Sequence, residues 1–285
     1  MRKNDFTLRE NRGIPYYSCT AFESLPWLRH GFSTRRGGAP RVGSQIHNEH
    51  DDSLNLNAAS WDSTERVSEN RRRFLAALDM ESSTLITLNQ IHSDKVHVVT
   101  DRSVSEVAIE GDALITQEKN VAMAIKTADC FPLLIADPIH KTVGAVHSGW
   151  RGTLSNIVAC TIEAMHRHFG SDPAELMIAL GPGIRDCCFE VGTEVADLFV
   201  EAYPEIAPAL PISDRPGKFL VDLVKVLHVQ LTRSGVPTKN HYDLGICTCC
   251  NTQEFFSYRA EGASSGRMMS IISIRQSDTV PYYRP

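Results

Sequence analysis

VAMAIKTADCFPLLIADPIHKTVGAVHSGWRG, residues 121–152, decides the fold. It holds three β-type apolar runs, Val121 to Lys126, Phe131 to Ala136 and Thr142 to Val146. DPIHK (Asp137 to Lys141) separates the second from the third. A turn this short, with a proline, predicts an antiparallel hairpin. The polar segments that follow the runs, TADC (Thr127 to Cys130) and HSGWRG (His147 to Gly152), then fall at the rim of a sheet.

Outward from this stretch, helical and strand patterns interleave. Asp62 to Leu78 predicts a helix with Val67, Phe74, Leu75 and Leu78 on one side and Ser63 or Thr64 as its cap. Ser83 to Leu88 and Val96 to Thr100 predict strands around a loop that carries His92. Leu154 to Phe169, Thr193 to Tyr203 and Val221 to Thr232 predict helices; Leu176 to Leu180, Phe255 to Tyr258 and Met268 to Ile274 predict strands. Several neighbouring strands read as antiparallel. The expectation is therefore an α+β layered sandwich with mixed sheets, not a doubly wound parallel fold. No repeat or low-complexity linker divides the chain, so residues 1–285 are expected to form a single domain, with 1–29 a less regular N-terminal segment.

The chain has 285 residues, 42% hydrophobic and 22% charged, enough for a sizeable core. A net charge of -5 gives no bulk attraction for nucleic acid. MRKNDFTLRE at the start has no apolar stretch, and the longest apolar run, Phe131 to Ala136, is too short to span a bilayer. A cytoplasmic location with no membrane partner is expected, with the eight cysteines kept as thiols or ligands. Nothing in the sequence sets the oligomeric state.

His92, Cys130 and His147 stand at strand ends on three separate segments. Two imidazoles and a thiolate are the three ligands that a catalytic zinc takes when a fourth position is left for water. The residue types leave a plainer alternative open, a buried cysteine and two hydrogen-bonded structural histidines. Asp129 beside the cysteine and Arg151 after the histidine add polar groups where sites tend to be built. The vicinal Cys187 and Cys188 and the CTCC run (Cys247, Cys249, Cys250) form a second cysteine-rich set. Together the five could make a structural zinc site, but Cys-x-Cys-Cys lacks the two-residue spacer of common zinc ribbons and knuckles, so they are expected to be unligated thiols without disulfides.

Beyond these residues, an ordered series of motifs resembles the bacterial YfiH/YlmD family, long labelled laccase-domain or multicopper polyphenol oxidoreductase proteins. The series runs from HGFSTRRGG (His30 to Gly38) through VSENRRRF, NQIHSDKVHVV, GDALIT, TADCFPLLIADP, AVHSGWRGT, GPGIRDCCFEVG and CTCCNTQEFFSYRAEG to GRMMSIISI (Gly266 to Ile274). One departure is Ala260, where the family often has a second basic residue. The resemblance implies a fold shared with the catalytic domain of cytotoxic necrotizing factor toxins. It also implies a zinc triad of His92, Cys130 and His147, with copper as the lesser alternative.

The implied activity is phosphorolysis of adenosine, inosine and methylthioadenosine, with adenosine deamination beside it. Purine nucleosides and phosphate would then be the ligands. Deamination needs a carboxylate to carry the proton, for which Asp129 is the candidate, and Cys130 stands among the catalytic residues as a ligand. Phosphate needs basic partners: Arg151 first, then Arg35, Arg71 and Arg267. Two other activities are carried as alternatives. One is amide hydrolysis, as in peptidoglycan-precursor editing, with Cys130 as nucleophile and His147 as base. The other is polyphenol oxidation, as the older label says. The second fits badly, because only His166 and His168 have the His-x-His spacing, inside a helix.

Overall fold

Phe131–Asp137 and Thr142–Ser148 form the expected hairpin, paired antiparallel from Phe131 opposite Ser148 to Asp137 opposite Thr142. The computed structural model describes residues 5–40, 52–100, 109–206, 209–211 and 214–275. Asp137 closes the hairpin turn, its carboxylate accepting from the amides of Ile139 and His140. Every residue of both strands is buried, so both faces of their sheet are covered. Alternation assigns the covers. Leu133, Ile135 and Val146 pack with Ile157, Ile162 and Leu227 from helices. Leu134, Ala136 and Ala145 pack with Met123, Ile125 and Ile272 of a second sheet.

The hairpin's sheet has six strands in the order His241–Asp243, Met177–Leu180, Phe131–Asp137, Thr142–Ser148, Ala113–Thr116, Val96–Val99. The second sheet also has six: Phe6–Asn11, Ile14–Cys19, Leu28–Ser33, Met268–Ile274, Val121–Thr127, Thr84–Thr87. Each mixes parallel and antiparallel pairs. Helix Thr64–Ala77 lays Phe74 and Ala77 on Ala122, Ala124, Met269 and Ile271, the outer face of this second sheet. Ile157–Phe169 and Leu223–Arg233 cover the outer face of the first. The layers run helix, sheet, sheet, helices, which is the α+β sandwich with mixed sheets. A small antiparallel sheet of Glu190–Gly192, Lys218–Val221 and Ala209–Pro211 stands beside them.

Two of the short segments by which the chain passes between the two main sheets carry candidate ligands. One joins Thr84–Thr87 to Val96–Val99 and carries His92; the other joins Val121–Thr127 to Phe131–Asp137 and carries Cys130.

Three local expectations need correction, and one buried strand lay outside the expectations. The N-terminal segment is regular: Phe6–Asn11, Ile14–Cys19 and Leu28–Ser33 form half of a sheet. Their half-polar sequences suit an edge whose outer strand is wet, which hid them. The helix expected from Leu154 is broken at Asn156, whose φ of 58° is left-handed, into Trp150–Leu154 and Ile157–Phe169. Phe255 to Tyr258 is not a strand. Ser257 instead caps a short helix, Tyr258–Glu261, by accepting from the Ala260 amide. Ala113–Thr116, within the GDALIT motif, is a buried strand with no polar alternation to reveal it.

Candidate active site and metal centre

Asp112, at the start of Ala113–Thr116, builds half of the site and is wholly buried. Its carboxylate accepts from the amides of Ile91 (3.3 Å), His92 (3.0 Å) and Ser93 (2.6 Å) and from the Ser93 hydroxyl (2.7 Å). Its Oδ1 also lies 2.8 Å from Nδ1 of His147. One carboxylate therefore grips the His92 loop and orients the second imidazole. It fixes the proton on Nδ1 of His147 and leaves Nε2 to face a ligand. His92 itself has a φ of 61°, a strain of about 1 kcal/mol that the three amide bonds offset.

Asp129 does comparable work for Cys130. It too is left-handed, with φ 89°. Its Oδ1 accepts from Thr248 Oγ1 (2.6 Å) and Ser257 Oγ (2.7 Å), and its Oδ2 from the Arg259 amide (2.6 Å). Asp129 lines the same cavity as Cys130, and these three donors occupy its carboxylate and fix the turn from which Cys130 projects.

The ligand atoms of His92, Cys130 and His147 lie within 4.8 Å of one another. The Cys130 sulfur is 3.8 Å from Nε2 of His92, and the two imidazole rings meet edge to face at 4.9 Å. Gly149 makes the space. A Cβ there would stand 2.7 Å from Cδ2 of His92 and 3.0 Å from the Cys130 sulfur.

Burial works against the Cys130 thiolate, but the charge and hydrogen bonds of His147, with a bond from His92, outweigh it and bring the thiol down to about 6. Burial likewise disfavours the His147 imidazolium, yet Cys130 and Asp112 lift it to about 9. Asp112 is desolvated too, but His147 and Ser93 hold its carboxyl at about 2. Without a metal the centre is thus a thiolate–imidazolium pair beside a buried anion, and a cation bound there would displace the proton from Nε2 of His147.

The three residues open onto a cavity of about 520 Å³, within the size range of small-ligand sites. Trp150, Phe189 and Tyr258 supply aromatic surface, and Lys126, Arg259 and Arg267 supply positive charge. The Arg259 guanidinium is steadied by the carbonyls of Cys188 and Glu190, each at 2.9 Å. Arg267 Nη1 donates to the carbonyls of Ser265 and Gly266.

Of the expected basic residues, Arg267 lines this cavity and the other three do not. Arg151 is exposed and lies over the Trp150 ring, 4.1 Å from its centroid. Arg35 pairs with Glu261 at 2.6 Å and covers Phe256. Arg71 donates from Nε to the Leu56 carbonyl at 2.9 Å. In each case a nearer acceptor or ring captures the guanidinium. His166, of the His-x-His pair, binds the Ser171 carbonyl, and residues two apart on a helix do not share a face.

Sequence reading missed Asp112, Gly149, Lys126 and Arg259. Asp112 sits in the GDALIT motif, where a lone acid before an apolar run announces nothing. Arg259 stands immediately before the Ala260 that drew attention instead. Among the described residues a second group of candidate ligands gathers Cys187, Cys188, Cys247 and Cys250. No helix among the described residues is long and apolar enough to cross a membrane.

Comparison with known proteins places the chain among relatives. A family profile described as "Multi-copper polyphenol oxidoreductase laccase" matches residues 29–275. A purine nucleoside phosphorylase of Deinococcus radiodurans is 36% identical over 261 residues, which cover 88% of this chain and 93% of that protein. An adenosine deaminase from an unknown prokaryotic organism is 33% identical over 221 residues, 75% of this chain and 84% of its own. The chain spans 65% of the length of the mouse and human purine nucleoside phosphorylases it matches. Crystal structures of YfiH from Bacillus licheniformis and YlmD from Geobacillus stearothermophilus each superpose with a TM-score of 0.82, at 28% and 29% identity, over 95% of this chain and 100% and 99% of theirs.

Proposed function

The chain belongs to the multi-copper polyphenol oxidoreductase laccase family, and from that premise we propose that it is a zinc-dependent purine nucleoside enzyme. The proposed reactions are phosphorolysis of adenosine, inosine and methylthioadenosine, and deamination of adenosine. The observation that supports this reading is the gathering of His92, Cys130 and His147 in one cavity with Lys126, Arg259 and Arg267.

The donor set fits zinc. Two imidazoles and an easily ionised thiol make three ligands, one of them already oriented by a carboxylate, and the cavity beyond leaves a fourth position open. Copper accepts the same donors, but one two-histidine, one-cysteine centre is not the many-histidine set of a multicopper oxidase. Zinc bound there would supply Lewis acidity and lower the pKa of a water toward about 7.

The rest is work for side chains. In phosphorolysis a phosphate oxygen displaces the purine at the anomeric carbon, and the base leaves with the bonding pair. Lys126, Arg259 and Arg267 are the groups proposed to neutralise the phosphate, in place of Arg151. Trp150, Phe189 and Tyr258 offer rings to the flat base. Asp129 keeps Cys130 in place through its own three hydrogen bonds. In this reading it is a positioning residue, and any part in carrying a proton is secondary.

The test is phosphate-dependent release of hypoxanthine from inosine by protein freed of host phosphorylases. Cys130→Ala is expected to abolish it, and full turnover by that variant would sink the proposal. The thiol brought down to about 6 beside His147 favours one rival, a cysteine nucleophile acting on amides. That rival requires metal-free protein to be the active form, whereas the nucleoside reading requires chelation to silence it.

A further inference from the structure

Two turns far apart in sequence meet behind the cavity wall. Gly183 and Cys247 form a parallel bridge, and the Thr248 amide donates to the Gly183 carbonyl at 3.2 Å. From this bridge each turn projects two thiols toward the other. The Cys250 sulfur lies 3.5 Å from that of Cys187 and 3.3 Å from that of Cys188. With Cys247, all four sulfurs lie within 4.8 Å of one another. All eight cysteines of the chain are free thiols.

We propose that Cys187, Cys188, Cys247 and Cys250 form a second metal site, a tetrathiolate centre for zinc or a similar soft divalent cation. In a tetrahedral centre with zinc–sulfur bonds of about 2.3 Å, neighbouring sulfurs stand about 3.8 Å apart. The two observed contacts, 3.5 and 3.3 Å, fall a little short of that spacing, and the whole group lies within 4.8 Å. They are well beyond the bond of about 2.05 Å that a disulfide requires. Cys250 is also nearly equidistant from two partners, which suits shared coordination better than a single pairing. Cys247 adds an independent sign. Its sulfur accepts from the Arg185 amide at 3.4 Å. Amide donors to sulfur stabilise a thiolate ligand.

The sequence signal is there once one residue is set aside. Cys247 and Cys250 are separated by Thr248 and Cys249, the two-residue spacer of zinc knuckles, and Cys249 is the thiol left out of the group.

Such a centre would tie the cavity wall together. Ile184 and Phe189, on either side of the Cys187–Cys188 turn, both line the cavity. Thr248, between Cys247 and Cys250, holds Asp129, and the Arg259 guanidinium rests on the Cys188 carbonyl. A cation there would fix the positions of Asp129 and Arg259 without touching a substrate.

The experiment uses the full chain carrying Cys130→Ala, so that the first centre is disabled and activity plays no part. Purified from zinc-supplemented cells without chelator, this variant is expected to retain one zinc per chain by elemental analysis. Cobalt substitution should give the strong sulfur-to-cobalt charge-transfer absorption of a tetrathiolate. Adding Cys250→Ser should remove the metal, and adding Cys249→Ser should not. If Cys250→Ser fails to fold, a mercurial titrated into the folded Cys130→Ala chain should release one zinc to a chromophoric chelator. A Cys130→Ala chain that binds no metal, or one whose intact mass is two hydrogens low because Cys250 is in a disulfide, would overturn the proposal.

Discussion

Nδ1 of His147 and Oδ1 of Asp112 lie 2.8 Å apart, with the histidine 3% exposed and the aspartate fully buried. The same carboxylate holds three consecutive amides of the His92 loop. Asp112→Asn keeps the volume but turns an NH₂ toward donors on one side. It is expected to weaken zinc affinity by about 10–100-fold, the usual cost of losing a carboxylate partner behind a metal-bound histidine. A competition titration against a chromophoric chelator measures this, and unchanged affinity would remove Asp112 from the centre.

Gly149→Ala tests the space rather than the charge. Gly149 has an ordinary φ of −79°, so alanine costs nothing in backbone strain. Its methyl would meet His92 and the Cys130 sulfur. Zinc content should fall sharply while the melting temperature of the metal-free protein changes by no more than a few degrees. A variant that keeps full zinc would show that the triad has more room than its geometry indicates.

Cys130 in metal-free protein should alkylate early in a pH series. With its thiol at about 6, the iodoacetamide rate at this residue should rise through pH 6 and be nearly level by pH 7.5, whereas an ordinary cysteine rises near about 8.5. Zinc loading should suppress the reaction. Peptide mapping across the series reads both, and an inflection at pH 8 or above would contradict the pairing with His147.

His30 gives a pH-dependent stability apart from the site. Burial lowers its imidazole to about 4, and the neutral ring accepts from the Cys19 amide at 2.8 Å. The unfolded chain then binds the extra proton between the ordinary value of 6.5 and about 4. Stability from this group is present above pH 6.5 and is lost as pH falls toward 4, by up to about 3 kcal/mol. Urea unfolding at pH 7 and 4.5 should show this loss in the parent and not in His30→Leu. Equal slopes in the two would show that the group does not titrate this way.

Phosphate kinetics separate the arginines. Arg267→Ala and Lys126→Ala should raise the phosphate KM by about tenfold or more, since losing a charged hydrogen bond costs roughly 1.5–3 kcal/mol. Arg151→Ala, which strips a guanidinium from the face of Trp150, should change it about twofold or less. The reverse ranking would restore Arg151 as the main partner of the phosphate.

Much of this architecture was legible because buried strands leave unbroken apolar runs. Phe131 to Ala136 and Thr142 to Val146 could be read directly, and the proline turn between them set their direction. The N-terminal strands escaped because the edge strand Phe6–Asn11 carries Thr7, Arg9 and Glu10, a polar sequence that looks like a loop. The triad residues were visible as types at strand ends. What brings them together was not, since the contacts of Asp112 with Ile91 to Ser93 and with His147 reach 19 to 35 residues along the chain. Arg151 was placed by its nearness in sequence to His147, and the neighbouring indole proved the closer partner.

His92 and Cys130 sit on two of the segments where the chain steps from one sheet to the other. A cation shared by these segments would brace the two layers against sliding, and the gap between the layers would in turn set the bite of the ligands. Side chains that fix this gap, such as Met123 and Leu134, are then determinants of metal affinity although neither lines the cavity. The coupling runs both ways: free metal at 100 times its dissociation constant would add about 2.7 kcal/mol to the stability of the whole sandwich. Enlarging or shrinking the inter-sheet core should therefore retune the metal centre from a distance.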